Sequence, residues 1–126
     1  MEKNTEYLGR IANEPIESLD MVKWEGGAIL VHFNCTEFSS HCPVTGQPDF
    51  GKLEISYIPD GQIVETKSLK LYLWKFRHEK RFNEGIVDKI AAELFEQAKP
   101  KWCQVIGKFN QRGGIAVTAT AERGEK

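Results

Sequence analysis

At 126 residues, with 40% hydrophobic and 28% charged side chains, the chain is long enough for one domain with its own core, without disulfides or a metal to close it. A formal net charge of −1 removes bulk electrostatics as a reason to bind nucleic acid or a membrane surface, so neither is expected as a partner. Met1 to Arg10 is polar and charged, no apolar run is long enough to span a bilayer, and a cytoplasmic protein is expected.

The three cysteines, Cys35, Cys42 and Cys103, form no CxxC pair, so neither a disulfide framework nor a zinc site is expected. His32, His41 and His78 match no metal spacing, and no metal is assigned.

Taken in order, residues 1–26 mix charges with scattered apolar positions and include Pro15, which reads as an extended, partly ordered lead-in. A single domain is expected over 27–122, with a frayed tail at 123–126. Ala28 to Cys35 is rich in β-branched and apolar residues and predicts a strand. Ser39 to Phe50, with two prolines and a glycine, predicts a constrained loop carrying Cys42 and Asp49.

Lys52 to Ile58 alternates with period two and predicts a second strand, ended by the turn residues Pro59-Asp60-Gly61. From Ser68 to Arg77 the spacing of Leu69, Tyr72, Leu73 and Phe76 predicts a helix, and Glu84 to Lys99 predicts a second one, stopped by Pro100. Trp102 to Phe109 and Ile115 to Ala121 predict two more strands, joined by a Gly-Gly hairpin. Grouping like elements as ββααββ argues an α+β domain: a four-stranded antiparallel sheet with two helices on one face. Such an open sheet has two edges, which neighbouring subunits can cover, so a ring-like homo-oligomer is expected.

Local sequence leaves the chemistry open. Cys35 and Cys103 suit small buried hydrophobes, whereas Cys42 in its polar loop suits either that role or a reactive thiol. Asp49 is explained as well by turn formation as by catalysis. Glu65 and Glu84 can be favourable charges at helix starts, while Lys67, Lys70 and Arg112 can be solvated surface cations.

Four motifs narrow the choice: Cys-Pro-Val-Thr-Gly-Gln-Pro-Asp-Phe (Cys42 to Phe50), Glu-Thr-Lys-Ser-Leu-Lys-Leu-Tyr (Glu65 to Tyr72), Asn83-Glu84, and Gly-Lys-Phe-Asn-Gln-Arg-Gly-Gly (Gly107 to Gly114). In this order, in register from about Glu37 to Ala121, they resemble the single-module 7-cyano-7-deazaguanine reductases, NADPH-dependent nitrile reductases of queuosine biosynthesis with the tunnelling fold. The resemblance implies that Cys42 adds to the nitrile of 7-cyano-7-deazaguanine to give a thioimide and that Asp49 handles the proton. It also implies substrate contacts at Val64, Glu65, Thr66, Asn83 and Glu84, and NADPH binding by Lys67, Lys70 and Arg112 rather than by a GxGxxG loop, which is absent. A homodecamer of two pentameric rings, with sites between subunits, is the implied assembly.

Asn83 stands where the family usually has His; its amide can hydrogen-bond but is no acid near neutral pH. An amidine-forming relative that adds ammonia to the same nitrile, and a deazapurine-binding module without turnover, are the alternatives.

Overall fold

A computed structural model describes residues 14–126. The chain forms β1 (Met21–Lys23), β2 (Val31–His41), β3 (Pro48–Ile58), β4 (Gln62–Val64), α1 (Thr66–Trp74), a 3₁₀ turn (Lys75–His78), α2 (Asn83–Ala98), β5 (Trp102–Phe109) and β6 (Thr118–Gly124). The long strands make the expected four-stranded antiparallel sheet, in the order β2-β3-β5-β6, and β1 and β4 pair in a separate two-stranded ribbon.

The sheet buries one face because its alternation is strict there. Asp49, Gly51, Leu53, Ile55 and Tyr57 of β3 point to the same side as Cys103, Val105, Gly107 and Phe109 of β5, and all are buried. On α2, Ile86, Val87, Ile90, Ala91, Leu94 and Ala98 form the apolar stripe that covers them. Each of the larger side chains contributes about 1.5–3 kcal/mol by leaving water. Gly107 makes the close approach possible, since a Cβ there would lie 2.6 Å from Val87 Cγ2. Helix α2 ends where Lys99 turns left-handed, at φ 50°, and Pro100 follows.

Several boundaries differ from those the sequence predicts. The first strand starts at Val31 rather than Ala28 and runs to His41, and the second starts at Pro48 rather than Lys52. The pairs Ser39↔Phe50, Ser40↔Asp49 and His41↔Pro48 extend the ladder, so the expected 39–50 loop shrinks to residues 42–47 and Asp49 is a strand residue. A bulge between Cys35 and Phe38 breaks the alternation that β2 keeps from Val31 to Cys35. Val31, Phe33 and Cys35 pack against the core before it, while Phe38 and Ser40 face inward after it.

The first helix begins at Thr66, two residues earlier than its hydrophobic spacing suggests, because Glu65 caps it, and its final turn is 3₁₀. The lead-in is more structured than expected from Glu14 onward. Ile16, Leu19 and Met21 are buried, and Met21–Lys23 pairs with β4; the earlier part of the lead-in lies outside the described residues. The last strand begins at Thr118, later than Ile115, and continues to Gly124 into the predicted frayed tail. Among the described residues no helix is long and apolar enough to cross a membrane.

Candidate active site

The β2–β3 hairpin is closed by the residues around Cys42. Its N–H donates to the Gln47 carbonyl at 2.9 Å, and its own carbonyl accepts from Gly46 N–H at 2.8 Å. Gly46, at φ 73°, supplies the left-handed residue that this return of the chain requires. The thiol lies over the turn, where the Thr45 N–H, the Thr45 hydroxyl and the Val44 N–H donate towards sulfur and hold its pKa below the ordinary value. The charge of Asp49 opposes this only weakly. The other two thiols go the opposite way: burial raises Cys35, and burial pushes Cys103 up to about 11. Cys42 is therefore the thiol poised to ionise.

Asp49 is buried on the helix-covered face of β3, directly across from Ser40. Arg112 meets it from the β5–β6 connection, with Nε 2.7 Å from Asp49 Oδ1, and donates as well to the Pro48 carbonyl. Reciprocal bonds between Arg112 and Ile115, at 2.8 and 3.0 Å, close the turn that presents it. Ser40 is fully buried, and its hydroxyl has no hydrogen-bond partner among the described residues.

Asn83 and Glu84 open α2, which the backbone ties to the same end of the sheet. His41 N–H donates to Glu79 O at 3.1 Å, and Arg81 N–H donates to His41 O at 3.2 Å, one residue from Cys42. Glu84 is exposed in the first turn, where the helix dipole favours a carboxylate. Asn83 Oδ1 is buried without a partner among the described residues.

The remaining candidates form a second group. The Val64 N–H donates to Tyr57 Oη at 2.9 Å. Both carboxylate oxygens of Glu65 accept from helix N–H groups, those of Lys67 at 2.8 Å and Ser68 at 2.9 Å, so in this chain Glu65 is a helix cap. Thr66, Lys67 and Lys70 border an open groove of about 670 Å³ between α1 and residues 33–39 of β2, which Arg77 also lines.

The two groups are separated along α2. Gln62 of β4 donates to the Ala98 carbonyl at 2.8 Å, which puts β4 beside the C-terminus of this 16-residue helix, while Glu84 is at its N-terminus. At about 1.5 Å per residue that is roughly 24 Å. One chain thus brings Cys42, Asp49, Arg112, Asn83 and Glu84 to one end and leaves Val64 to Lys70 outside that cluster.

Residues 48–126 match the family model described as QueF-like protein. The chain belongs to this family. It is 46% identical over 122 residues to the NADPH-dependent 7-cyano-7-deazaguanine reductase of Bacteroides thetaiotaomicron, covering 97% of this chain and 80% of that one. It is 47% identical over 115 residues to the enzyme of the same name from Bacillus licheniformis, covering 91% and 69%. The crystal structure of the archaeosine synthase QueF-Like in the apo form superposes with a TM-score of 0.71 at 23% identity, over 77% of this chain and 95% of that one, and shares the fold.

Within this family framework, two contributors to the Cys42 site were not singled out from sequence. Thr45 had a usable signal, since a Thr in a Pro-Val-Thr-Gly turn has its hydroxyl near local N–H groups, and it accepts from Gln47 N–H at 3.2 Å. Ser40 had none, because an orphaned hydroxyl is visible only once the strand pairing is known.

Proposed function

We propose that the protein is an NADPH-dependent 7-cyano-7-deazaguanine reductase, converting the nitrile to the aminomethyl group of 7-aminomethyl-7-deazaguanine in queuosine biosynthesis. The observation that carries the chemistry is the turn at residues 42–47, which aims hydrogen-bond donors at Cys42 sulfur beside the buried Asp49. A nitrile is a weak electrophile. The Cys42 thiol passes its proton to the Asp49 carboxylate, the thiolate attacks the nitrile carbon to form the C–S bond, the nitrogen takes that proton back from Asp49, and the resulting thioimide is an imine-like acceptor. Reduction to the amine consumes two hydrides and two protons in all, and the hydrides come from NADPH. Loss of the thiolate from the reduced carbon between them regenerates Cys42.

Glu84, exposed at the start of α2, suits the guanine-like edge, where one carboxylate accepts from both the ring N–H and the exocyclic amine. Asn83 Oδ1 offers a further acceptor beside it. Lys67 and Lys70 at the groove fit a phosphate-bearing cofactor. Because Glu65 already occupies N–H groups at the start of α1, the ammonium groups rather than the helix end would meet the phosphates.

Val64, Glu65 and Thr66 belong to the substrate site only if a second copy supplies them, because one chain holds them apart from Cys42. Ring assembly, in the form of a homodecamer of two pentamers, would do this by joining the free edges of β2 and β6. The exposed Phe50, Phe82 and Ile115 near the Cys42 end support such a contact.

The test is loss of NADPH absorbance that depends on the nitrile. Cys42→Ala should abolish it, and a Cys42→Ala protein consuming NADPH at the wild-type rate would overturn the reading. Product formed with ammonia and without NADPH would favour amidine formation instead.

A further inference from the structure

Ser40 is the one fully buried residue near Cys42 whose polar atom has no partner among the described residues. Buried hydroxyls are almost always hydrogen-bonded, and an unpaired one costs stability that an alanine would not. No fold requirement explains a hydroxyl here, because the Ser40 backbone makes the β2–β3 pairing whatever its side chain.

The strand register shows what the hydroxyl is next to. Ser40 and Asp49 are directly opposed on the helix-covered face, and opposed side chains have Cβ atoms about 4.5–5.5 Å apart. A change of Ser40 rotamer is enough to bring Oγ to a carboxylate oxygen at that separation. Arg112 already holds Asp49 Oδ1, but its side chain is 49% exposed and is carried on a turn, whereas that of Asp49 is only 10% exposed. Of the two donors next to Asp49, Ser40 is the one fixed within the sheet, two residues before the nucleophile.

We propose that Ser40 is a positioning residue for Asp49: its hydroxyl donates to the Asp49 carboxyl group when the nitrile occupies the Cys42 site, and keeps that group aimed at the nitrile nitrogen. This rests on the reductase reading, in which Asp49 delivers the proton as the Cys42 thioimide forms. The hydroxyl is not consumed, so the balance of that step is unchanged. An orphan donor in the free protein that acquires its acceptor with substrate bound is what a preorganised site requires, since catalytic hydrogen bonds are commonly longer before substrate arrives.

The experiment follows formation of the Cys42 adduct by intact-protein mass after mixing with 7-cyano-7-deazaguanine in the absence of NADPH. It uses wild type, Ser40→Ala, Ser40→Thr, Asp49→Asn and the double variant Ser40→Ala/Asp49→Asn, with melting temperatures for all. Ser40→Ala should melt at or above the wild-type temperature, reach half-saturation at an unchanged nitrile concentration, and form adduct about 10-fold more slowly. Ser40→Thr should recover much of the rate. In the Asp49→Asn background the added Ser40→Ala should slow the adduct little further, because the two residues act through one group.

An unchanged rate in Ser40→Ala overturns the proposal, as does the same 10-fold loss in both backgrounds. A rate loss that follows a fall in melting temperature and is not recovered by threonine assigns Ser40 a structural role and overturns it too. Wild-type protein that forms no adduct overturns the Cys42 reading itself, a result distinct from the others.

Discussion

The Arg112 guanidinium lies 2.7 Å from Asp49 Oδ1, so a residue expected to hold cofactor phosphate also pairs with the carboxylate beside the nucleophile. The two roles compete for one side chain. In the free protein the pair also links the β5–β6 connection to the start of β3, reinforced by the Arg112 bond to the Pro48 carbonyl.

Arg112→Ala should therefore have two separable effects. Removing the partner of a buried carboxylate while the arginine itself is half exposed is expected to cost about 1–2 kcal/mol. For a domain of this size that lowers the melting temperature by several degrees. If Arg112 also binds cofactor, KM for NADPH rises about 10-fold while the nitrile KM changes little. A melting temperature equal to wild type would show that the Asp49 contact contributes nothing to the fold.

Thr45 tests the origin of Cys42 reactivity. Its N–H is the largest influence lowering the Cys42 pKa, and its hydroxyl acts in the same direction. Thr45→Val keeps the first and removes the second, so the thiolate loses one donor and the pKa must rise. The pH profile of Cys42 alkylation should shift to higher pH, with slower reaction at pH 7. Peptide mapping should find Cys42 labelled before Cys35 and Cys103, whose thiols are raised by burial. A profile that does not move in Thr45→Val would remove the hydroxyl from the account.

Where the sequence carried strong periodicity, it was legible. The alternation over Lys52 to Ile58 and the stripe from Ile86 to Leu94 gave strand and helix within a few residues of β3 and α2. The pairing of Ser39 to His41 with Pro48 to Phe50 was not legible. Those residues hold a ladder without apolar alternation, because the bulge at Cys35/Phe38 changes which face each residue takes. The three-residue strands β1 and β4 were too short to carry a period. In the site, Cys42 and Asp49 were readable as members of one constrained loop, but the short turn that brings their strands together was not. Arg112 against Asp49 and Glu65 folded onto its own helix depend on tertiary geometry, and residue type alone allowed other roles.

The groove beside α1 predicts a pattern that the Cys42 end does not. Lys67→Ala and Lys70→Ala should each raise KM for NADPH by about 10-fold, equivalent to ~1.4 kcal/mol. The effect should shrink as salt rises, because these are interactions near the surface. Adduct formation at Cys42 without NADPH should proceed at the wild-type rate in both variants. Loss of adduct formation would mean that these lysines serve the nitrile site or the assembly rather than the cofactor.

Alkaline pH should destabilise the fold through two buried groups far from the proposed chemistry. Cys103 is pushed up to about 11 by burial in the core, where its thiol donates weakly to the Ala91 carbonyl at 3.7 Å. Tyr72 is raised further still by burial and by its 2.5 Å hydrogen bond to Glu93, inside a cluster where the buried Lys75 amine lies 3.5 Å from Glu93 and 3.1 Å from Glu17. For both, the folded pKa lies above the unfolded one. The stabilisation is therefore complete below the unfolded values, near 9 for Cys103 and 10 for Tyr72, and is lost as pH climbs towards the folded ones. The melting temperature should be nearly flat with respect to these groups up to pH 9 and fall between pH 9 and 11, with Cys103 accounting for about 3 kcal/mol at most. Cys103→Ala should lower the plateau through the lost packing but make the fall between pH 9 and 11 shallower, and Tyr72→Phe should flatten the part above pH 10. Identical alkaline slopes in wild type and both variants would show that neither group carries the linkage.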